Sequence, residues 1–318
     1  MTDILYIVVP CYNEEDVLPE TAKRLKIKLK YLIEAQKISE KSRIMFVNDG
    51  SADSTWDIIE KLHKEDNIFT GINLSRNRGH QNALLAGLFT AKEKADVTIS
   101  MDADLQDDIN AVDEMLEKYY SGCDVVYGVR SKRKKDSFFK RITAEGFYHI
   151  MNFLGAETVF NHADYRLMSK RAVEGLSQFA EVNLFLRGIV PMVGYKSDTV
   201  YYERTERFAG KSKYPLKKMI SFALEGITSL SSKPIRFITL IGFLIFIISI
   251  LMIAHFIFRW AIGATVSGWA SVICSVWAIG GLIMLSLGVI GEYIGKIYLE
   301  SKARPKFIIE KDLEDEKL

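Results

Sequence analysis

Two apolar runs, Phe237 to Phe258 and Trp269 to Ile290, constrain this 318-residue chain more than anything else in it. Neither contains Asp, Glu, Lys or Arg. Each has about the 20 residues that a helix needs to cross a hydrocarbon layer. The link between them, Arg259 to Gly268, is short and holds one basic residue. The flanks hold Lys217, Lys218, Lys233 and Arg236 before, and Lys296, Lys302, Arg304 and Lys306 after. Basic flanks stay on the cytoplasmic side. A transmembrane hairpin is therefore expected, multi-pass in the inner (plasma) membrane, with the preceding domain and both termini in the cytoplasm. Trp260 and Trp269 suit the outer interface, and Glu292 falls near the inner one. Gly280, Gly281, Gly288 and Gly291 permit close helix packing, within the hairpin or between subunits, so a homo-oligomer is expected. Met1 to Pro10 has no basic region leading into an apolar run, so no signal peptide is expected.

Composition adds two exclusions. A net charge of +2 gives no reason to expect nucleic acid as a partner. Cys11, Cys123 and Cys274 are odd in number and lack C-x-x-C spacing, which fits a reducing compartment and neither a disulfide framework nor a zinc site.

Before the hairpin the pattern is that of a globular α/β domain. Ile4 to Val9 is an apolar strand ended by Pro10. Val17, Leu18, Thr21, Leu25, Leu29 and Leu32 recur at helical spacing. Arg43 to Asn48 is a second strand, followed by a helix capped by Ser54 or Asp53. Ile68 to Leu74 is a third strand, Ala83 to Ala91 a helix, Val97 to Met101 a fourth strand, and Val125 to Val129 a fifth after the helix around Leu116. This alternation implies parallel βαβ units and a helix-covered sheet. Ligands of such sheets bind at the carboxyl ends of the strands. Three polar clusters fall there: Tyr12-Asn13-Glu14, Asp49-Gly50-Ser51 and Asp102-Ala103-Asp104.

Asp102 and Asp104 leave one strand end side by side. Unpaired, they repel; a divalent cation removes the repulsion. Hard oxygen ligands with open positions suit Mg²⁺ or Mn²⁺ bridging to a diphosphate, and Gln106 adds a neutral carbonyl. A solvated turn explains the same two residues. Asp49 can accept from a nucleobase edge, with Tyr12 bounding the pocket, or simply close a turn and cap a helix. The loop Ser75 to Gln81 carries Arg76, Arg78 and His80, which either reach a diphosphate or stay solvated; His80 reads as a hydrogen-bonded loop residue.

Four ordered motifs carry a resemblance: P-C-Y-N-E at Pro10 to Glu14, V-N-D-G-S at Val47 to Ser51, S-R-N-R-G-H-Q-N-A at Ser75 to Ala83, and M-D-A-D-L-Q-D at Met101 to Asp107. Together they resemble the family 2 glycosyltransferases, and more narrowly the polyprenyl-phosphate enzymes such as the bactoprenol glucosyltransferases and dolichol-phosphate mannose synthase. The resemblance extends through the C-terminal half. It implies a GT-A (Rossmann-like) fold, a nucleotide-sugar donor and a divalent cation. It places Pro10, Tyr12, Glu14, Val47 and Asp49 on the nucleoside. It places Asp102, Ala103, Asp104 and Gln106 on the diphosphate and metal.

The acceptor side follows by the same resemblance. D-Y-R-L-M at Asp164 to Met168 puts Asp164 beside the acceptor, as base or as orienting group, with Asp104 the other catalytic carboxylate. From the residues alone, Asp164 is equally a cap before a short strand or an ion-pair partner of Arg166. R-x-x-G-x-S-K-Y at Arg207 to Tyr214 matches a loop that clamps phosphates; otherwise it is a mobile surface loop. Arg130, Arg141, Arg207 and Lys213 are implied to bind the acceptor phosphate. Phe138 to Leu154 is apolar on much of its surface with Lys140 and Arg141 beside it, which suits an interfacial helix over about 137–155 or a core helix. Pro215 to Ser232 reads as an amphipathic juxtamembrane helix.

The expected organisation is a GT-A catalytic domain over 1–214, the amphipathic helix over 215–233, the membrane hairpin over 234–294, and a cytoplasmic tail over 295–318 whose Phe307 to Ile309 stretch adds an edge strand to a neighbouring subunit. The expected reaction moves one sugar, glucose by resemblance, from a UDP-sugar to undecaprenyl phosphate in the bilayer. N-acetylglucosamine, mannose and aminoarabinose are alternatives. A processive polysaccharide synthase would carry Q-x-x-R-W and more spans, yet no tryptophan lies between Trp56 and Trp260. A non-catalytic sugar-nucleotide-binding protein would have lost the carboxylates that are present here.

Overall fold

The computed structural model describes residues 2–130, 162–181, 186–203, 233–262 and 268–314. They form two compact units, one from the residues up to 203 together with 304–314, the other from 233–262 with 268–303. The expected interfacial helix over 137–155 lies outside the described residues, as does the amphipathic stretch 215–232.

The first unit is built on one eight-stranded sheet, with helices on both faces. Its strands are β1 (Leu5–Cys11), β2 (Arg43–Asn48), β3 (Phe69–Leu74), β4 (Val97–Ser100), β5 (Val125–Arg130), β6 (His162–Ser169), β7 (Ser197–Tyr202) and β8 (Ile309–Asp312). Their order is β7-β5-β6-β4-β1-β2-β3-β8. Between them run α1 (Leu18–Glu34), α2 (Thr55–Glu65), α3 (His80–Ala91), α4 (Ala111–Tyr120), α5 (Lys170–Ser177) and α6 (Leu186–Met192).

Period-two alternation decides which face each strand residue joins. Leu5, Ile7 and Val9 of β1 pack with Leu18, Leu25 and Leu29 of α1 on one face. Tyr6 and Val8 pack with Ala83, Leu84 and Leu88 of α3 on the other. The apolar spacing of α1 is therefore the imprint of a single buried stripe.

Three strand expectations are revised. β1 runs through Pro10 to Cys11, because β4 ends opposite Val8 and a missing donor is tolerated where a strand is paired on one side only. The sheet is mixed: β6 lies antiparallel between β4 and β5, and β8 antiparallel on β3. That last pairing also corrects the tail. Residues 309–312 add an edge strand to the sheet of their own chain, Ile72 opposite Asp312 and Asn73 opposite Lys311. Glu314 accepts from Tyr6 Oη at 3.2 Å and meets Lys94 at 2.7 Å, and Lys306 donates to the Phe179 carbonyl.

The second unit holds α7 (Lys233–Ala261) and α8 (Trp269–Ser301), which touch each other. At 29 and 33 residues they are long and apolar enough to cross a membrane. Both overrun the predicted spans. α7 starts before Pro234, which a first turn tolerates, and α8 continues to Ser301, past the expected start of the tail at 295.

Candidate active site

Parallel register sets the site. Cys11 stands opposite Asn48, Asn48 opposite Asn73, and Val8 opposite Ser100. The chain therefore leaves β1, β2, β3 and β4 at one edge of the sheet. β6 enters from that edge, since Ser100 pairs with Arg166, and Ser100 Oγ donates to the Asp164 carbonyl at 2.5 Å. Arg130 ends β5 opposite Tyr202 of β7. One edge thus collects Tyr12, Asp49, the Ser75–His80 loop, Asp102, Asp164 and Arg130.

The loops at this edge are laced together. Asn13, in the left-handed region at φ 53°, accepts from Ala52 N through Oδ1, while its own N–H donates to Ser51 Oγ. Glu14 N donates to Thr55 Oγ1, and Asp53 accepts from Thr55 N, fixing the start of α2. Asp49 accepts from Arg78 N at 2.6 Å and Gly79 N at 2.9 Å. Burial raises the Asp49 carboxyl, and those two N–H groups draw it part of the way back. Gly50 has φ 62°, and a Cβ there would sit 2.5 Å from Asn77 N, so the second and third loops meet backbone to backbone. Asp49 is therefore first an anchor for the Ser75–His80 loop. That loop is shorter than expected: α3 begins at His80, three residues before Ala83.

The acidic turn after β4 is strained. Leu105 has φ 57°, rare for a leucine, and Gln106 N donates to Asp104 Oδ1 at 3.2 Å. Thr21 Oγ1 of α1 holds the Ala103 carbonyl at 2.7 Å. Burial pushes the Asp102 carboxyl up to about 6; the His80 charge opposes this, while Asp107, Asp164 and Asp104 add to it. Such a surplus of negative charge is what a divalent cation relieves, so Asp102, Asp104 and Gln106 fit the predicted metal role. Among the described residues no three His, Cys, Asp or Glu side chains close a metal site by themselves. A donor diphosphate would supply the remaining oxygens.

Asp164 sits inside β6, not ahead of it, and has three cationic neighbours. Arg166 Nη2 lies at 2.6 Å from Oδ1, and Arg187 Nη2 and His80 Nε2 at 3.5 and 3.6 Å from Oδ2. His80 Nε2 is also 3.6 Å from Asp102 Oδ1. Burial would raise the Asp164 carboxyl, but His80, Arg187 and Arg166 hold it well below the usual carboxylate range. Arg130 is held in turn: its Nε donates to Tyr202 Oη at 3.2 Å, its Nη2 lies 3.5 Å from Asp107 Oδ1, and Tyr202 Oη donates to the same oxygen at 2.5 Å.

The structure thus brings together Tyr12, Glu14, Asp49, Asp102, Ala103, Asp104, Gln106, Arg130 and Asp164. Tyr12 is an open ring at 48% exposure. Val47 is corrected from a donor contact to a core residue, fully buried beneath α3. Pro10 is likewise buried within β1. Arg141, Arg207 and Lys213 lie outside the described residues. His80, Asp107, Arg187 and Tyr202 were not singled out for this site by sequence. Of these, only His80 and Asp107 lay within recognised motifs; Arg187 and Tyr202 carry no local signal.

Comparison with known proteins agrees with this geometry. The model of the family described as Glycosyl transferase family 2 matches residues 6–176. A Bacillus subtilis protein described as "Uncharacterized glycosyltransferase YkoT" is 54% identical over 99% of this chain and 94% of its own. The bactoprenol glucosyl transferase of Shigella phage SfV is 40% identical over 96% of this chain and 98% of its own. The Escherichia coli prophage bactoprenol glucosyl transferase homolog is 39% identical over 96% and 98%. The chain belongs to glycosyl transferase family 2, in its polyprenyl-phosphate group, and is a hexosyltransferase with a GT-A catalytic domain.

Proposed function

We propose that this family 2 enzyme transfers one glucose from UDP-glucose to undecaprenyl phosphate, with inversion. The observation that carries the reading is the meeting of Asp102 and Asp104 with Asp164 and its cationic ring at one sheet edge. The names of the bactoprenol glucosyl transferases, at about 40% identity over nearly the whole chain, support the sugar and the lipid.

The attacking oxygen of the lipid phosphate forms a bond to the anomeric carbon. The bond from that carbon to the UDP oxygen breaks, and its electron pair leaves with UDP. A phosphate monoester loses its second proton with a pKa of about 6, so near neutrality little remains for a base to remove. Asp164, held ionised by its cations, suits orientation better than proton transfer. Tyr12, Glu14 and Asp49 would bound the nucleoside. Asp102, Asp104 and Gln106 would hold Mg²⁺ or Mn²⁺, which when bound neutralises charge developing on the leaving diphosphate. Arg130, set by Asp107 and Tyr202, would face the acceptor phosphate together with Arg141, Arg207 and Lys213.

A donor dissolved in water must meet an acceptor buried in lipid, and α7 and α8 would anchor the chain where both are present. In this reading the hairpin spans the plasma membrane with both chain ends in the cytoplasm. On α8 a Cβ at Gly280, Gly281, Gly288 or Gly291 would meet nothing within 4 Å, an open face that suits a second copy in a homo-oligomer.

The test is to incubate membranes holding the protein with undecaprenyl phosphate, Mn²⁺ and a panel of labelled nucleotide sugars. Label from UDP-glucose entering the lipid fraction is expected. Label from another sugar instead would replace glucose, and none from any would overturn the acceptor.

A further inference from the structure

We propose that His80 is a positioning residue for sugar transfer, its Nε2 atom tying the donor-side carboxylate of Asp102 to the acceptor-side carboxylate of Asp164. This rests on the reading of the site given above and assigns a role that the motifs leave open.

The geometry is specific. Asp102 follows β4 and Asp164 lies in β6, while His80 opens α3 from a third direction. Its Nε2 is 3.6 Å from Asp102 Oδ1 and 3.6 Å from Asp164 Oδ2. Catalytic contacts are often long without substrate and tighten in the complex. Two carboxylates on neighbouring strands repel; one nitrogen between them offers an N–H to either and shields each from the other. The ring is 43% exposed, so it borders open space and is not part of the core.

The backbone under the ring is pinned. Gly79 N donates to Asp49, Asn82 Nδ2 donates to the Arg78 carbonyl at 2.8 Å, and Gln81 Oε1 accepts from Leu186 N at 2.9 Å. Leu186 is followed by Arg187, the second cation on Asp164 Oδ2. The first turn of α3 therefore joins the nucleoside-side anchor, Asp49, to the acceptor-side carboxylate. A role in register rather than in binding follows. Losing the tie should leave the donor bound and misalign the attack, and a misplacement of about 1 Å costs up to about 100-fold in rate.

The experiment compares wild type, His80→Leu and His80→Gln in membranes supplied with UDP-glucose, undecaprenyl phosphate and Mn²⁺. UDP binding in the presence of Mn²⁺ is measured by calorimetry, and Tm is followed in parallel. For His80→Leu, kcat should fall about 10- to 100-fold with UDP affinity unchanged. Gln places a neutral N–H near the same position and should restore most of kcat. Unchanged kcat in His80→Leu overturns the proposal, and so does a matching loss of UDP affinity, which would make His80 part of the donor site. If His80→Leu fails to fold, His80→Gln decides: a folded Gln variant that binds UDP without turnover overturns the positioning role. Wild type without transfer would remove both this proposal and the reading beneath it, whereas active wild type beside an unimpaired variant removes this one alone.

Discussion

Arg166 Nη2 donates to Asp164 Oδ1 at 2.6 Å, between alternate residues of one strand. Residues two apart on a strand share a face, so the pair is written into D-x-R. Arg166 is only 1% exposed, and its other terminal nitrogen lies 3.5 Å from the Leu186 carbonyl. Breaking a buried pair by removing one partner costs about 3–5 kcal/mol. Arg166→Ala should therefore unfold at markedly lower temperature. Asp164→Asn keeps an acceptor oxygen and should lose turnover while UDP still binds. Transfer rate, UDP calorimetry and Tm check the pair, and an equal loss of UDP affinity in Asp164→Asn would move that residue to the donor side.

Asp104→Asn should abolish transfer that depends on added Mn²⁺ without altering Tm. Asp104 accepts from Gln106 N at 3.2 Å, which an amide oxygen can also do, so the turn survives and only the ligand charge is lost. Titrating Mn²⁺ against transfer checks this; retained turnover removes the metal assignment.

Gly50→Ala should cost more than about 1 kcal/mol and weaken UDP binding. Its φ of 62° disfavours any side chain, and the new methyl would strike the backbone at Arg76 and Asn77. Shifting that loop pulls Arg78 N and Gly79 N from Asp49. Denaturant unfolding and UDP calorimetry measure the two effects.

Asp124 predicts a pH dependence of stability. Arg171 and the hydroxyl of Ser169 lower its carboxyl below the ordinary value of about 3.9. A carboxyl depressed by folding contributes stability that is fully present above its unfolded pKa and is lost as pH falls through the folded one. Asp124→Asn should thus lower stability at pH 7 by about 1 kcal/mol for the weakened Ser169 bond, the Arg171 pair being largely exposed and screened. The difference from wild type should shrink toward pH 3. Urea unfolding at the two pH values checks it.

Removing residues 304–318 should expose β3 as a sheet edge and promote aggregation. It also removes the Ile308 carbonyl that accepts from Ser75 N at 3.0 Å, at the head of the loop leading to His80. Light scattering and Tm of the truncated protein, with UDP binding, test both consequences.

Local chemistry made much of this protein legible from its sequence. Chain-length apolar runs have few alternatives to a long helix, so the hairpin helices followed from Phe237–Phe258 and Trp269–Ile290. Period-two and helical spacing placed β2 at Arg43–Asn48 and α1 over Leu18–Glu34, because each strand or helix buries its own stripe. The polar clusters after β1, β2 and β4 followed from parallel connection alone. What only the tertiary structure decided is non-local pairing. β6 inserts antiparallel beside β4 and carries Asp164 to the end of that strand. The last strand returns to its own sheet. Val47, in the middle of a recognised motif, turns out to be fully buried. His80 gained its two carboxylates because three separate elements end at one point. No periodicity records such a meeting, since the energy that fixes it comes from contacts between residues far apart in the chain.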